Sequence, residues 1–171
     1  MKPYELAKLT VEKYITEEQL PEFPQELTGI NIEKAGTFVC IKTKDDNLRG
    51  CIGTIFPTKQ NIIEEIIYNS ISAATADTRF QKIQNNELNN LKYSVDVLYT
   101  PEKISLITEL DPKIYGIIVV SAKTRKQALL LPDLDGIDTV ESQISACMRK
   151  AGIPPNEPII IHKFKVERYA E

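Results

Sequence analysis

The sequence has little histidine, cysteine or glycine, and it contains no tryptophan. Of its 171 residues, one is histidine, three are cysteine and seven are glycine. The single imidazole, His162, excludes a metal centre built from several histidines, although a site made mainly of carboxylates stays open. The odd number of cysteines and the absence of a Cys-x-x-Cys pair argue against a disulfide framework and a structural zinc site. We therefore expect free thiols and no bound metal.

The charge balance and the short hydrophobic runs exclude further classes of protein. Lysine and arginine number 21 against 24 acidic residues, which gives a formal net charge of -3 and disfavours a nucleic-acid-binding surface. The aliphatic runs IIVV, ALLL and PIII are far shorter than the roughly 20 residues that span a bilayer. The N-terminus is charged from Lys2 and supplies no apolar signal-peptide core. We expect a cytosolic protein with no membrane and no nucleic-acid partner.

Hydrophobic periodicity indicates an α+β fold with a mainly antiparallel sheet and three main helices. Strands joined by hairpins, rather than by repeated crossovers, favour this class. We expect one domain over residues 1–171, with a possible small lobe within it. The helices are predicted at 3–16, after Asn61 and after Asp138, and the strands at 36–43, 48–54, 91–99, 116–121, 127–131 and 158–169.

The segment LRGCIGT, residues 48–54, places two glycines around a cysteine within a predicted strand. Glycine weakens a strand interior, so Gly50 and Gly53 indicate a bulge or a close approach by another group, and we interpret them as room for a ligand. Arg49 shares a strand face with Cys51 unless a bulge intervenes, and a nearby cation favours a thiolate. Cys51 is therefore a candidate nucleophile or redox thiol; the alternative is a small buried hydrophobic residue.

The polar turn KDDN joins this strand to the preceding one, and its length decides the position of Cys40. A two-residue turn at Asp45-Asp46 or Asp46-Asn47 places Cys40 and Cys51 on one face, whereas a three-residue loop separates them. Asn47 tolerates a positive φ, so both alternatives stay open. Because Cys40 and Cys147 lie on faces that are otherwise apolar, we expect both in the core.

The turn ADTRF, residues 76–80, is the second candidate for a site. Arg79 at a helix C-terminus can satisfy free carbonyl groups, and Asp77 can pair with it. An arginine beside a glycine-rich strand would also suit a carboxylate or phosphate, because its guanidinium donates two parallel hydrogen bonds. Proximity to Gly50 and Gly53 would decide between these alternatives. The sequence contains no Walker loop and no Gly-x-Gly-x-x-Gly, Gly-x-Ser-x-Gly or His-Glu-x-x-His motif, and we expect no cofactor.

Several separated segments resemble the AMMECR family. Residues 36–54 are similar to its signature hairpin, and SAATADTRF, 72–80, to its alanine-rich helix end and Asp-Pro-Arg-Phe turn. Residues 128–153 resemble its Leu-Leu-Pro segment and lysine-alanine-glycine helix end, and FKVERYAE resembles its closing strand. Thr78 stands where the family usually has proline, and Asn47 where it usually has a hairpin glycine.

The most similar branch of the family is the bacterial and archaeal one called AmmeMemoRadiSam system protein A. The resemblance implies a two-lobed α+β fold with a cleft near the hairpin, and as partners a Memo-like protein, related to extradiol dioxygenases, and a radical S-adenosylmethionine protein. The residues it implies for the cleft are Arg49, Gly50, Cys51, Gly53, Asp77, Arg79 and Phe80. We expect the cleft to bind a small anionic ligand or a peptide; the alternative is an enzyme that uses Cys51 as nucleophile or redox thiol.

Overall fold

The computed structural model describes residues 1–171, which form two compact units. The first unit consists of Met1–Leu98 together with Glu167–Glu171, and the second of Tyr99–Val166. The final strand therefore supplies residues to both units. All seven residues that the resemblance assigned to a cleft lie in the first unit.

The first unit contains two helices and a three-stranded antiparallel sheet. Its elements are α1 (Pro3–Glu17), β1 (Gly36–Thr43), β2 (Leu48–Gly53), α2 (Ile62–Thr75) and β3 (Leu91–Leu98), with a short 3₁₀ helix at Asn85–Asn90. β1 lies between β2 and β3 and is antiparallel to both. β2 is therefore an edge strand.

One face of this sheet forms the core with the two helices. Side chains alternate between faces along a strand, and Val39 and Ile41 on β1 are fully buried together with Ile66 of α2. Each such aliphatic side chain contributes about 1.5–3 kcal/mol through burial. Phe38 and Cys40 alternate with them, lie on the opposite face and are half-buried. The expectation that Cys40 is a core residue is therefore wrong, because the apolar face of β1 carries its odd-numbered residues.

Helix α2 begins as its sequence predicts and ends on small residues. The Asn61 side chain accepts a hydrogen bond from the N–H of Glu64 at 2.9 Å, which confirms the predicted cap. Ala73 and Ala74 near its C-terminus are buried against the sheet. Their small side chains allow the helix backbone to approach β2 closely.

The second unit has its own sheet and helix. Its elements are β4 (Glu102–Lys103), a 3₁₀ turn at Ile107–Glu109, β5 (Tyr115–Ser121), β6 (Gln127–Leu130), α3 (Val140–Ala151) and most of β7 (Ile159–Ala170). β5 pairs antiparallel with β6 and with β7. Cys147 on α3 is fully buried beside Met148, which confirms its predicted place in a core.

The α+β class and the mainly antiparallel pairing are confirmed. Thr139 caps α3 by accepting a hydrogen bond from the N–H of Ser142, whereas Asp138 forms an ion pair with Lys113. No helix combines the length and the apolar character that crossing a membrane requires.

Candidate functional site

The hydrogen bond that closes the hairpin between β1 and β2 encloses a loop of three residues, 44–46, and a bulge offsets the effect of this loop on register. The N–H of Thr43 donates to the Asn47 carbonyl at 2.8 Å, and Asp46, rather than Asn47, has the positive φ of 65°. A three-residue loop alone would separate Cys40 and Cys51 onto opposite faces. The pairing of β1 with β2, however, shifts by one residue between Ile41 and Lys42.

The bulge leaves Arg49 as an extra residue on β2. Ile41 pairs with Gly50 and Lys42 pairs with Leu48, so Arg49 has no partner on β1. Beyond the bulge, Cys40 lies directly opposite Cys51. The two thiols therefore share the face of the sheet that lies opposite the helices.

The space beside the two glycines of β2 is filled by other parts of the protein. A methyl group on Gly50 would overlap the carbonyl oxygen of Ala73 on α2, and one on Gly53 would overlap the Thr37 carbonyl and the Phe38 ring. The expectation of close approach is confirmed for both positions. The interpretation that this space receives a ligand is wrong, because the backbone of α2 and the Phe38 side chain fill it.

The turn after α2 covers the outer edge of β2. A carboxylate oxygen of Asp77, Oδ2, accepts the N–H of Cys51 at 2.9 Å, while Arg79 Nη2 donates to the Cys51 carbonyl at 3.3 Å. These are main-chain groups that a neighbouring strand would otherwise pair. The Asp77–Arg79 pair thus takes the place of a neighbouring strand at this edge. Arg79 lies beside the glycine-flanked strand β2, which is the proximity that an anion-binding site would require.

Asp77 and Arg79 form a bidentate ion pair. Arg79 Nε donates to Asp77 Oδ1 at 2.9 Å and Nη2 donates to Oδ2 at 2.7 Å. The Arg79 hydrogen bonds hold the pKa of Asp77 well below its usual range, and the same contacts raise the pKa of Arg79. The Asp77 side chain is 6% exposed and that of Arg79 is 55% exposed. The pair is therefore anchored at its acidic end and open to solvent at its basic end.

Arg49 connects the bulge to the 3₁₀ helix before β3. Its Nε and Nη2 donate to the Glu87 carboxylate at 2.7 and 2.9 Å, and Nη1 donates to the Gln81 carbonyl at 2.8 Å. The Arg49 side chain is only 15% exposed. All three of its guanidinium nitrogens are thus used inside the protein, so Arg49 positions the site rather than presenting a free charge.

Phe80 brings the two arginines together. The guanidinium carbon of Arg79 lies 5.5 Å from the centre of the Phe80 ring, and that of Arg49 lies 6.0 Å from it. These distances fit cation–π contacts. The site therefore consists of an exposed guanidinium on an aromatic ring, beside the main chain of β2.

The thiol of Cys51 is hydrogen-bonded to the thiol of Cys40. Hydrogen bonding to Cys40, together with burial, raises the pKa of Cys51 above that of an ordinary thiol. A nucleophilic cysteine requires the opposite shift. Cys51 therefore lacks the lowered pKa expected of a nucleophilic cysteine that acts alone.

Sequence reasoning missed Glu87 and Gln81. The spacing of Gln84 and Glu87 matches a capping box, and Glu87 Oε1 does accept the N–H of Gln84 at 2.8 Å. That signal could have identified the helical turn. It could not have identified Arg49, 38 positions earlier, as the partner of the same carboxylate.

This arrangement defines an α+β protein whose signature hairpin is held at its edge by an aspartate–arginine turn. The chain belongs to the AMMECR1 family, whose model matches residues 4–171.

The chain is also similar to known proteins in sequence and in structure. A protein of Thermotoga maritima is 48% identical over 147 residues, covering 85% of this chain and 82% of that protein. A protein of Clostridium acetobutylicum is 45% identical over 172 residues, but the chain spans only 36% of its length. The crystal structure of uncharacterized protein PH0010 from Pyrococcus horikoshii superposes with a TM-score of 0.86 at 29% identity, covering 99% of this chain and 89% of that one.

Proposed function

We propose that the protein binds a small anionic ligand, or a peptide through a carboxylate, at Arg79 beside β2. The observation that carries this proposal is the combination of exposure and fixed orientation in the Arg79 side chain. A guanidinium has five N–H donors, and Nε and Nη2 are used by Asp77 and the Cys51 carbonyl. The two N–H groups on Nη1 are left for a ligand.

Preorganisation supports binding at this position. An arginine held by a bidentate carboxylate and an aromatic ring has already lost most of its side-chain freedom, so less entropy is lost when a ligand binds. Asp77 also neutralises part of the Arg79 charge, and a ligand therefore requires a second contact. The main chain at Gly53 faces the same edge of β2, because the Phe38–Gly53 pair exchanges no ladder hydrogen bonds. Gly53 would thus contribute backbone, and Gly50 would hold the strand against α2.

Removal of the guanidinium is the direct test of this proposal. We expect Arg79→Gln to weaken binding of inorganic phosphate, or of a short peptide with a free carboxylate, roughly 10- to 100-fold, since a hydrogen bond to a charged group contributes about 1.5–3 kcal/mol. Isothermal titration calorimetry on the folded variants measures the change. Lys82→Gln is the matched control, because it removes an exposed cation three residues away.

Equal binding by the wild type, Arg79→Gln and Lys82→Gln would contradict the proposed site. Arg79→Lys separates charge from geometry: it keeps the cation but loses the planar fork, and we expect it to bind more weakly than the wild type. An Arg79→Lys variant with unchanged affinity would mean that only net charge matters.

We further propose that the protein acts together with a Memo-like and a radical S-adenosylmethionine protein. The resemblance of residues 36–54 and 72–80 to the AmmeMemoRadiSam branch supports this. Co-expression with both proteins from the same genome, followed by size-exclusion chromatography, should give a co-eluting complex. Separate elution of the three proteins at micromolar concentration would overturn the partnership and leave the anion site untouched.

A further inference from the structure

Cys40 and Cys51 lie directly opposite each other on β1 and β2. Both are free thiols and both are partly exposed, whereas Cys147 is buried. Cys40 is also paired with Ser94 on β3, so it lies on the middle strand of this sheet rather than at a frayed edge. The two cysteines therefore face each other across the middle strand and the edge strand of this sheet.

The hydrogen-bond pattern shows which kind of antiparallel pair they form. The N–H of Thr54 donates to the Thr37 carbonyl at 2.9 Å, and ladder bonds recur at every second pair along the strands. The Cys40–Cys51 pair lies three pairs along from the bonded Thr37–Thr54 pair, so by this alternation it is of the non-hydrogen-bonded kind. Independently, the N–H and carbonyl of Cys51 point outward to Asp77 and Arg79.

This kind of pair suits a cross-strand disulfide. In a non-hydrogen-bonded pair the Cα atoms are about 4.5 Å apart and the side chains approach each other more closely than in the other kind. Disulfides require Cα atoms about 4.4–6.8 Å apart. The bond can therefore form without a change of strand register.

The hydrogen bond between the two thiols favours ionisation of one of them. Hydrogen bonding to Cys51 lowers the pKa of Cys40, and nearby Lys42 acts in the same direction, while burial and Asp96 oppose it. The same hydrogen bond raises the pKa of Cys51, whereas burial raises that of Cys147. This direction favours Cys40 as the attacking thiolate, and Cys51 lies directly opposite it, where it can attack the mixed disulfide that forms.

We propose that Cys40 and Cys51 form a reversible dithiol–disulfide couple that reacts with low-molecular-weight disulfides. The Cys40 thiolate attacks one sulfur of the small disulfide, the S–S bond breaks, and one small thiolate leaves. Cys51 then loses its proton to solvent and attacks the Cys40 sulfur, which releases the second small thiolate. Two protein thiols are oxidised and one disulfide is reduced to two thiols. The proposal does not depend on anion binding at Arg79.

The test uses the full-length reduced protein, oxidised glutathione, alkylation of remaining thiols and mass spectrometry of the peptides. The expected result is a Cys40–Cys51 cross-link, with Cys147 alkylated only after unfolding. Cys51→Ser should trap glutathione on Cys40, because the resolving thiol is missing, and Cys147→Ser should form the cross-link as the wild type does. Glutathione retained separately on both cysteines of the wild type, or no reaction at either, would overturn the proposal.

A second probe measures thiol proximity without oxidation. Phenylarsine oxide binds two neighbouring thiols and releases water, so the reduced wild type should take up one equivalent and Cys40→Ser should take up none. Uptake that is unchanged in Cys40→Ser would contradict the pairing. Lys82→Gln, which removes an exposed cation outside the thiol pair, should behave as the wild type in both experiments.

Discussion

Gly50→Ala should lower the free energy of unfolding by about 3 kcal/mol, the upper part of the range for overpacking a closed site. The added methyl group would overlap the Ala73 carbonyl, which belongs to the helix backbone and cannot rotate aside as a side chain would. The backbone of Gly50 is not in the left-handed region, so alanine itself is compatible with its φ. The whole effect therefore reports the contact between β2 and α2. Urea denaturation followed by circular dichroism measures it.

Gly136→Ala is the matched control for this substitution. Gly136 has open space around its α-carbon but a positive φ of 77°, so alanine there meets backbone strain of about 1–2 kcal/mol and no overlap. Hydrogen exchange of β2 amides should accelerate only in Gly50→Ala. If Gly50→Ala were no more destabilising than Gly136→Ala, the backbone of α2 would not pack tightly against Gly50. The space beside Gly50 would then be available to a ligand.

Glu65→Gln should lower the free energy of unfolding by about 2–3 kcal/mol, within the range for a hydrogen bond to a charged group. Glu65 is a buried residue, with 1% of its surface exposed. Its carboxylate accepts hydrogen bonds from the N–H groups of Thr58 and Lys59, both at 2.7 Å, and from the Thr54 hydroxyl at 2.5 Å. A glutamine amide keeps one oxygen for the two N–H groups but loses the negative charge that strengthens these bonds, and the Thr54 hydroxyl must turn to accept from the amide N–H. Chemical denaturation at neutral pH measures the loss.

The neighbouring Glu64→Gln provides the control, because Glu64 accepts only long contacts of 3.4 Å from Gln60 and Asn61. It should change the free energy of unfolding by less than about 0.5 kcal/mol. Equal destabilisation by the two substitutions would contradict the role assigned to Glu65.

The effect of Glu65 should also depend on pH. Burial raises the pKa of Glu65, but the hydrogen bonds from Thr54, Lys59 and Thr58 outweigh it, so the folded pKa lies below the unfolded one. Such a carboxylate stabilises the fold fully above its unfolded pKa, about 4.3, and loses that contribution as pH falls through the folded pKa. The difference between wild type and Glu65→Gln should therefore shrink in acid. A difference that stays constant down to pH 2 would be contrary to this interpretation.

Periodicity predicted the elements because each has one face in a core. The alternation from Leu91 to Tyr99 predicts β3, which ends one residue earlier, at Leu98, and the Asn61 cap starts α2 where the sequence places it. Each of these signals is local. The predicted hairpin of β1 and β2 is likewise observed, since its two β-rich runs flank a polar turn.

The details of the site depended on contacts that the sequence does not encode locally. The bulge at Arg49 reverses the outcome expected from a three-residue loop and places Cys40 opposite Cys51. The reason for Gly50 is a carbonyl of Ala73 from a different element, and the partner of Arg49 is Glu87. The local pair Asp77 and Arg79, two residues apart, could be predicted as an ion pair. Its bonds to the Cys51 main chain could not.

The most direct test of the central claim, that Arg79 is a fixed guanidinium open to an anion, is a nuclear magnetic resonance titration of ¹⁵N-labelled protein with inorganic phosphate and a carboxylate peptide. The expected result is a saturable shift of the Arg79 side-chain signal and of the Cys51 and Gly53 amides, absent in Arg79→Gln. A linear, unsaturable response, or one of equal size at these amides in Arg79→Gln, would contradict the claim.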